Sequence, residues 1–262
     1  KYLNEILNTG FTKIENDFED LSNHLNTEYF NKLLNNEKIK YFNINLANEK
    51  DIAMGRMIKS HISLDEKIIK SIFCNKEIMF LLRNYFKGQF FVRSLPTIQI
   101  DNFNRKNFEN LDKNEKKGSS FFIQNKFHID AGFKQVHLNL MCSTHSKNDT
   151  HTEFIAYQKV KKNRFNIYKK RYSFDDKDLE SNNKIVPICG NEGEIFIFDA
   201  GQYFHRAKYK SGNERRIFQI IFNNVGPWNK ENNKNKELDI NINSRKNLFE
   251  IDWSKDVVKY IV

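Results

Sequence analysis

The sequence predicts a mainly β domain, a sandwich or barrel of antiparallel strands with helices ahead of it, and two patterns predict it. After Lys87-Gly88, short runs rich in β-branched and aromatic residues recur at nearly regular intervals between turn-forming residues, as in all-β sandwiches and barrels. Before that point, from Tyr2 to about Leu82, apolar residues recur at helical spacing, as in Leu3, Ile6, Leu7 and in Ile68, Ile69, Ile72, Phe73.

Taken in order, the segment Ser63-Leu-Asp-Glu-Lys offers an N-cap followed by acids in the first turn, so a helix is expected to start there and continue through Phe86. QFFVRSLPTIQIDNF then opens the strands, with Pro96 marking an edge or a bend. Asp101 to Ser120 is polar and charged, and a loop of that length in a compact domain suits a cover over a site. The runs FFIQNKFHID, QVHLNLMCS, HTEFIAYQKV, RFNIYKKRYSF, KIVPICG, EIFIFDAG and RRIFQIIFNNV follow as strands. The Asn/Lys/Glu-rich stretch Asn229 to Lys246 reads as a surface excursion, with LFEIDW able to dock on the core.

No repeat and no second boundary is visible, and 262 residues are within reach of one core. The expectation is a single domain over 1–262: helical support over about 1–87, the β core over 88–228 and a C-terminal extension over 229–262. Hydrophobic residues at 39%, with 24 Phe, are enough to fill it, which sets disorder aside.

The formal charge of +10 would point to nucleic acid or an anionic membrane if it formed one patch, but the Lys residues are scattered among Asn and Ile, as under an AT-rich codon bias. A nucleic-acid partner is therefore not expected. A small, anionic substrate would suit a basic channel. Cys74, Cys142 and Cys189 lie far apart with no C-x-x-C spacing, which indicates neither a disulfide framework nor a thiolate zinc site. Without a membrane-length apolar run or a signal-like order at the N-terminus, the expected location is cytoplasmic.

Chemistry enters at FHIDAG. His128 and Asp130 are two apart, so on a strand both side chains share one face. Alone the pair is weak evidence. In GEIFIFDAGQYFHRA an apolar strand runs through a turn at Ala200-Gly201 and returns toward a second imidazole, His205. Two imidazoles and one carboxylate occupy one face of an octahedral metal and leave three positions open, the set used by non-haem iron(II) oxygenases. RRIFQIIFNN adds a strand opening with Arg215 and Arg216, either of which could hold a carboxylate by a paired, charge-assisted hydrogen bond.

FHIDAG, GEIFIFDAGQYFHRA and RRIFQIIF together resemble the phytanoyl-CoA dioxygenase-like branch of the iron(II)/2-oxoglutarate oxygenases, over roughly Phe122 to Asn224. The resemblance implies a double-stranded β-helix (jelly-roll, cupin-like) core with helices packed outside. It makes His128, Asp130 and His205 the iron ligands. It implies that iron(II), 2-oxoglutarate and O2 are used to oxidise a C–H bond of a small polar metabolite, with release of succinate and carbon dioxide. RRIFQIIF matches the family strand best when Arg215 anchors 2-oxoglutarate; a slip of one residue would give that place to Arg216. Asn139, on the following strand, and Gln99, on the preceding one, are further candidates to contact 2-oxoglutarate. The family's small-residue and Gly-Ser-His stretch is absent, with THTEFIAYQKV in its place, so the substrate side does not carry over.

His137, His145 and His151 are expected to be hydrogen-bonded rather than ligands, and Arg93 to be a surface charge. KKNRFNIYKKRY could resemble a nucleic-acid-binding strand but reads better as a solvated face. No Gly-rich phosphate loop or Gly-x-Ser-x-Gly elbow is present. Two rivals remain: a nucleic-acid- or protein-modifying oxygenase, and a jelly-roll binding protein without turnover.

Overall fold

The computed structural model describes residues 1–15, 18–34, 58–62, 64–87, 90–92, 96–101, 125–130, 134–157, 176–210 and 214–223. Arg93, the loop 102–120, the run KKNRFNIYKKRY and the extension 229–262 lie outside the described residues.

The N-terminal part is not wholly helical. Helix α1 (Tyr2–Thr9) ends at Gly10, whose left-handed backbone (φ 86°) lets its N–H close on the Ile6 carbonyl. The chain then enters a strand, β1 (Phe11–Ile14), in place of the helix expected there. Helix α2 (Glu19–Leu25) runs through a wide turn, Asn26–Phe30, into α3 (Asn31–Leu34), and a second unexpected strand, β2 (Ile58–His61), follows.

The helix expected from Ser63 through Phe86 is two helices. Asp65 is the N-cap of α4 (Glu66–Ile68), its carboxylate accepting from the Ile68 N–H at 2.9 Å. A wide turn over Ile69–Phe73 ends at Cys74, and Asn75 caps a new helix, α5 (Lys76–Phe86), by accepting from Glu77 and Ile78.

The remaining elements are β3 (Phe91–Val92), β4 (Thr97–Asp101), β5 (Gln135–Met141), β6 (His151–Ile155), α6 (Asp176–Asn182), β7 (Ile185–Ile188), β8 (Ile195–Asp199), β9 (His205–Lys208) and β10 (Arg215–Asn223). Asp101, read as the start of a loop, is the last residue of β4. The strands form two antiparallel sheets: a large one in the order β1-β8-β5-β10-β4-β2, with β3 also on β10, and a small one, β7-β6-β9.

Pleat parity divides the large sheet into two faces. Leu138, Leu140, Phe218, Ile220 and Phe222 pack against Leu21, Leu25, Phe30, Ile72 and Leu82 of the helical layer. The opposite face meets the small sheet through Met141, Phe154, Ile188, Phe196, Phe198 and Ile217. Every residue of β5 and β8 is therefore buried, because both of their faces are covered. Among the described residues no helix is long and apolar enough to cross a membrane.

Candidate functional site

The expected strand around FHIDAG is reduced, within the described residues, to a single bridge. His128 and His205 exchange backbone hydrogen bonds of 3.0 and 2.9 Å, and the Asp130 N–H donates to the Ala200 carbonyl at 2.8 Å. The turn at Ala200-Gly201 thus fixes Asp130, and the start of β9 fixes His128. The i, i+2 relation brings both side chains to His205 without a continuous strand.

One ligand atom from each of His128, Asp130 and His205 lies within 4.8 Å of the others. The Nδ1 of His128 faces the Lys126 carbonyl at 2.8 Å and that of His205 faces the Tyr203 carbonyl at 3.4 Å. A carbonyl only accepts, so each ring carries a proton on Nδ1, and Nε2 is the nitrogen left for the centre. Burial and the adjacent His128 push the His205 imidazole down to about 3, which keeps it neutral at ordinary pH.

Asp130 is oriented by two residues that the sequence reading did not place at the centre. His137 Nε2 lies 2.9 Å from Asp130 Oδ2, and the Gln135 amide donates to the same oxygen. Burial works against the charge. The His137 hydrogen bond and the fields of His137, His205 and His128 overcome it and hold the carboxyl well below its usual range. His137 was expected to be hydrogen-bonded and not a ligand, and it stands outside the three-residue group. The signal for it was present: it is two residues before Asn139, hence on the same face of β5.

Asn139 and Gln219 lie opposite each other in the register of β5 and β10, and the Gln219 amide donates to Asn139 Oδ1 at 3.0 Å. Further along β10 the two arginines point to opposite faces. Arg216 lies on the helical side, bonded to Glu214 and Asn26 and stacked over Phe30. Arg215 lies on the inner side, paired with Asp101 and donating across to Thr152 Oγ1 of β6 at 3.2 Å. Gln99 donates to both oxygens of Asp101. On β6, Thr152 is one pleat repeat, about 7 Å, from Phe154, which lies opposite His205 in the register. The triad and Arg215 therefore share the space between the sheets. The rings of Phe154, Phe198 and Tyr203 pack there, with Phe198 also against His137 and His205.

His145 and His151 stand outside the three-residue group, and their Nδ1 atoms face the Ser143 and Asp149 carbonyls.

Solved structures similar to the chain were found at low identity. They include the non-haem α-ketoglutarate-dependent carbocyclase SnoK from nogalamycin biosynthesis (9% identity, 91% of this chain and 89% of that one, TM-score 0.59). AviO1 from Streptomyces viridochromogenes matches at 9% identity over 87% of this chain and 96% of that one, with TM-score 0.54. The chain has their fold. EctD from S. alaskensis, solved with 2-oxoglutarate and 5-hydroxyectoine, agrees at 10% identity over 84% of this chain and 74% of that one, TM-score 0.52. No family model and no curated protein sequence matches the chain.

Proposed function

We propose that the chain is an iron(II)- and 2-oxoglutarate-dependent oxygenase acting on a small polar metabolite. The observation that carries this reading is the convergence of His128, Asp130 and His205, with each imidazole's Nδ1 side turned to a carbonyl. The donor set suits iron(II): two imidazole nitrogens and one carboxylate oxygen, a set that leaves the other coordination positions to be filled by ligands. The two sheets, with the His128 bridge extending the small one beside β9, support a double-stranded β-helix within a single domain.

When bound, iron(II) with 2-oxoglutarate and O2 supplies the oxidation of a substrate C–H bond, with succinate and carbon dioxide as co-products. Hydroxylation is the default outcome; desaturation and ring closure begin from the same C–H bond. The chain's own part is to hold and to exclude. His137 and Gln135 engage one oxygen of Asp130 and turn the other toward the imidazoles. Arg215 is the anchor for the far carboxylate of 2-oxoglutarate, oriented by Asp101, and Gln99 supports it through that carboxylate rather than directly. Asn139, held by the Gln219 amide on the inner face of β5, is a further group to contact 2-oxoglutarate. Phe154, Phe198 and Tyr203 keep water from the reacting centre.

Small-molecule chemistry is favoured by the nogalamycin biosynthesis to which SnoK belongs and by the 2-oxoglutarate and 5-hydroxyectoine with which EctD was solved. The test is anaerobic addition of iron(II) and 2-oxoglutarate. A weak visible charge-transfer band is expected, and its absence from folded, iron-loaded protein overturns the reading.

A further inference from the structure

Between the sheets, Asp101 and Arg215 form a pair with almost no exposure, at 0% and 2%. Asp101 Oδ2 accepts from Arg215 Nε at 2.8 Å and Nη2 at 2.5 Å, so a protein carboxylate already occupies one edge of the guanidinium. The charge of the proposed anchor is thus balanced before any ligand arrives. A second carboxylate brought to Arg215 adds a negative charge with no counter-charge in a place shut off from water, where uncompensated charge is costly.

Beside this pair stands His145, 3% exposed: it is two residues beyond Ser143, whose hydroxyl donates to the Glu214 carbonyl and accepts from the Arg216 N–H, the residues on either side of Arg215. Its Nδ1 is 3.2 Å from the Ser143 carbonyl, so the neutral ring donates there and turns a bare Nε2 inward. That Nε2 is buried and has no hydrogen-bond partner among the described residues. A bare nitrogen cannot help a carboxylate, whereas a protonated one donates to it.

We infer that His145 completes the carboxylate end of the site, taking up one proton from solvent at Nε2 when the far carboxylate of 2-oxoglutarate binds beside Arg215. The balance is simple. Asp101, Arg215 and neutral His145 sum to zero; adding one carboxylate and one proton leaves them at zero. The groups acting on the ring are Arg215 from β10, Asp101 from β4 and His151 from β6. Cys189, on the connection between β7 and β8, lies in the same field, and burial raises its thiol and keeps it neutral. Without a ligand, burial and the Arg215 charge hold His145 down to about 4. An anion at Arg215 reverses the second effect and gives Nε2–H an acceptor.

This inference rests on the proposed function, and the experiment separates the two. Manganese(II)-loaded, anaerobic protein is titrated calorimetrically near neutral pH with 2-oxoglutarate, in two buffers of different ionisation enthalpy. The titration is repeated with 2-oxobutyrate, which has the same 2-oxo acid end and no far carboxylate. Uptake of about one proton with 2-oxoglutarate and none with 2-oxobutyrate is expected, and 2-oxoglutarate affinity falls up to about tenfold per pH unit between the free His145 value of about 4 and its raised bound-state value, then levels off.

His145→Asn should remove the uptake and flatten that pH profile. Binding of 2-oxoglutarate without uptake, equal uptake with 2-oxobutyrate, or unchanged uptake in the variant overturns the role of His145 alone. If the wild-type, metal-loaded protein binds neither acid, the proposed function falls as well. The wild-type comparison decides the matter even where the variant does not fold.

Discussion

His128 and His205 exchange both backbone hydrogen bonds, and that exchange holds their imidazole rings 4.5 Å apart. The grouping of the three proposed ligands is thus a property of backbone pairing as much as of side-chain chemistry. Replacing a ring should leave the pairing in place.

His205→Ala is accordingly expected to abolish succinate formation and weaken manganese(II) binding on the order of a hundredfold, while the far-ultraviolet spectrum stays unchanged. A variant that still turns over 2-oxoglutarate at the wild-type rate would remove His205 from the ligand set.

His137 touches the carboxylate of Asp130 and not the proposed metal position. His137→Leu should weaken metal binding by about 10- to 100-fold, read by cobalt(II) absorption titration. His137→Gln, whose amide can still donate to Asp130, should recover most of that loss. Equal losses in both variants would show that ring packing against Phe198 matters and the hydrogen bond does not.

The two arginines of β10 should separate sharply in urea unfolding. Arg215→Ala leaves buried Asp101 without its counter-charge and is expected to cost about 3–5 kcal/mol. Arg216→Ala removes a half-buried pair with Glu214 and is expected to cost less than about 1 kcal/mol. The double variant Asp101→Leu/Arg215→Met should regain much of the stability and still fail to bind 2-oxoglutarate, which separates the structural role of the pair from the anchoring role.

Acid should destabilise the metal-free protein through His145. Its folded-state value is depressed to about 4 from 6.5, so between those values the unfolded chain binds a proton that the folded ring refuses. Stability present above pH 6.5 is lost as pH falls toward 4, by at most about 1.4 kcal/mol per pH unit for this one group. Urea midpoints from pH 7 to 4.5 should fall more steeply in the wild type than in His145→Asn.

The triad was legible in the sequence because i, i+2 spacing and a strand-turn-imidazole segment are local patterns. Which of Arg215 and Arg216 faces the space between the sheets required the pleat parity of β10, which a one-residue slip inverts. His137 was legible in principle, through its parity with Asn139, but its value depends on Asp130 arriving from another segment. Asp101 was hidden because an acid beside a polar run reads as loop, and only its register opposite Arg215 gives it a role. β1 and β2 were missed because runs of four residues are too short to separate period two from helical spacing when apolar residues flank them. The single long helix failed at Asn75, whose capping side chain restarts the helix where apolar spacing alone reads straight through.

β1 pairs along its length with β8, Phe11 opposite Phe198, although β2 to β7 lie between them in sequence. A ribosome therefore releases β1 long before its partner exists, and this edge of the large sheet has to wait until β8 has been made. The same delay applies to His128 and Asp130, which emerge well ahead of His205. A nascent chain can offer two of the proposed ligands but not three, so on the proposed function tight metal capture is a late event that marks a molecule whose central strands are already in place.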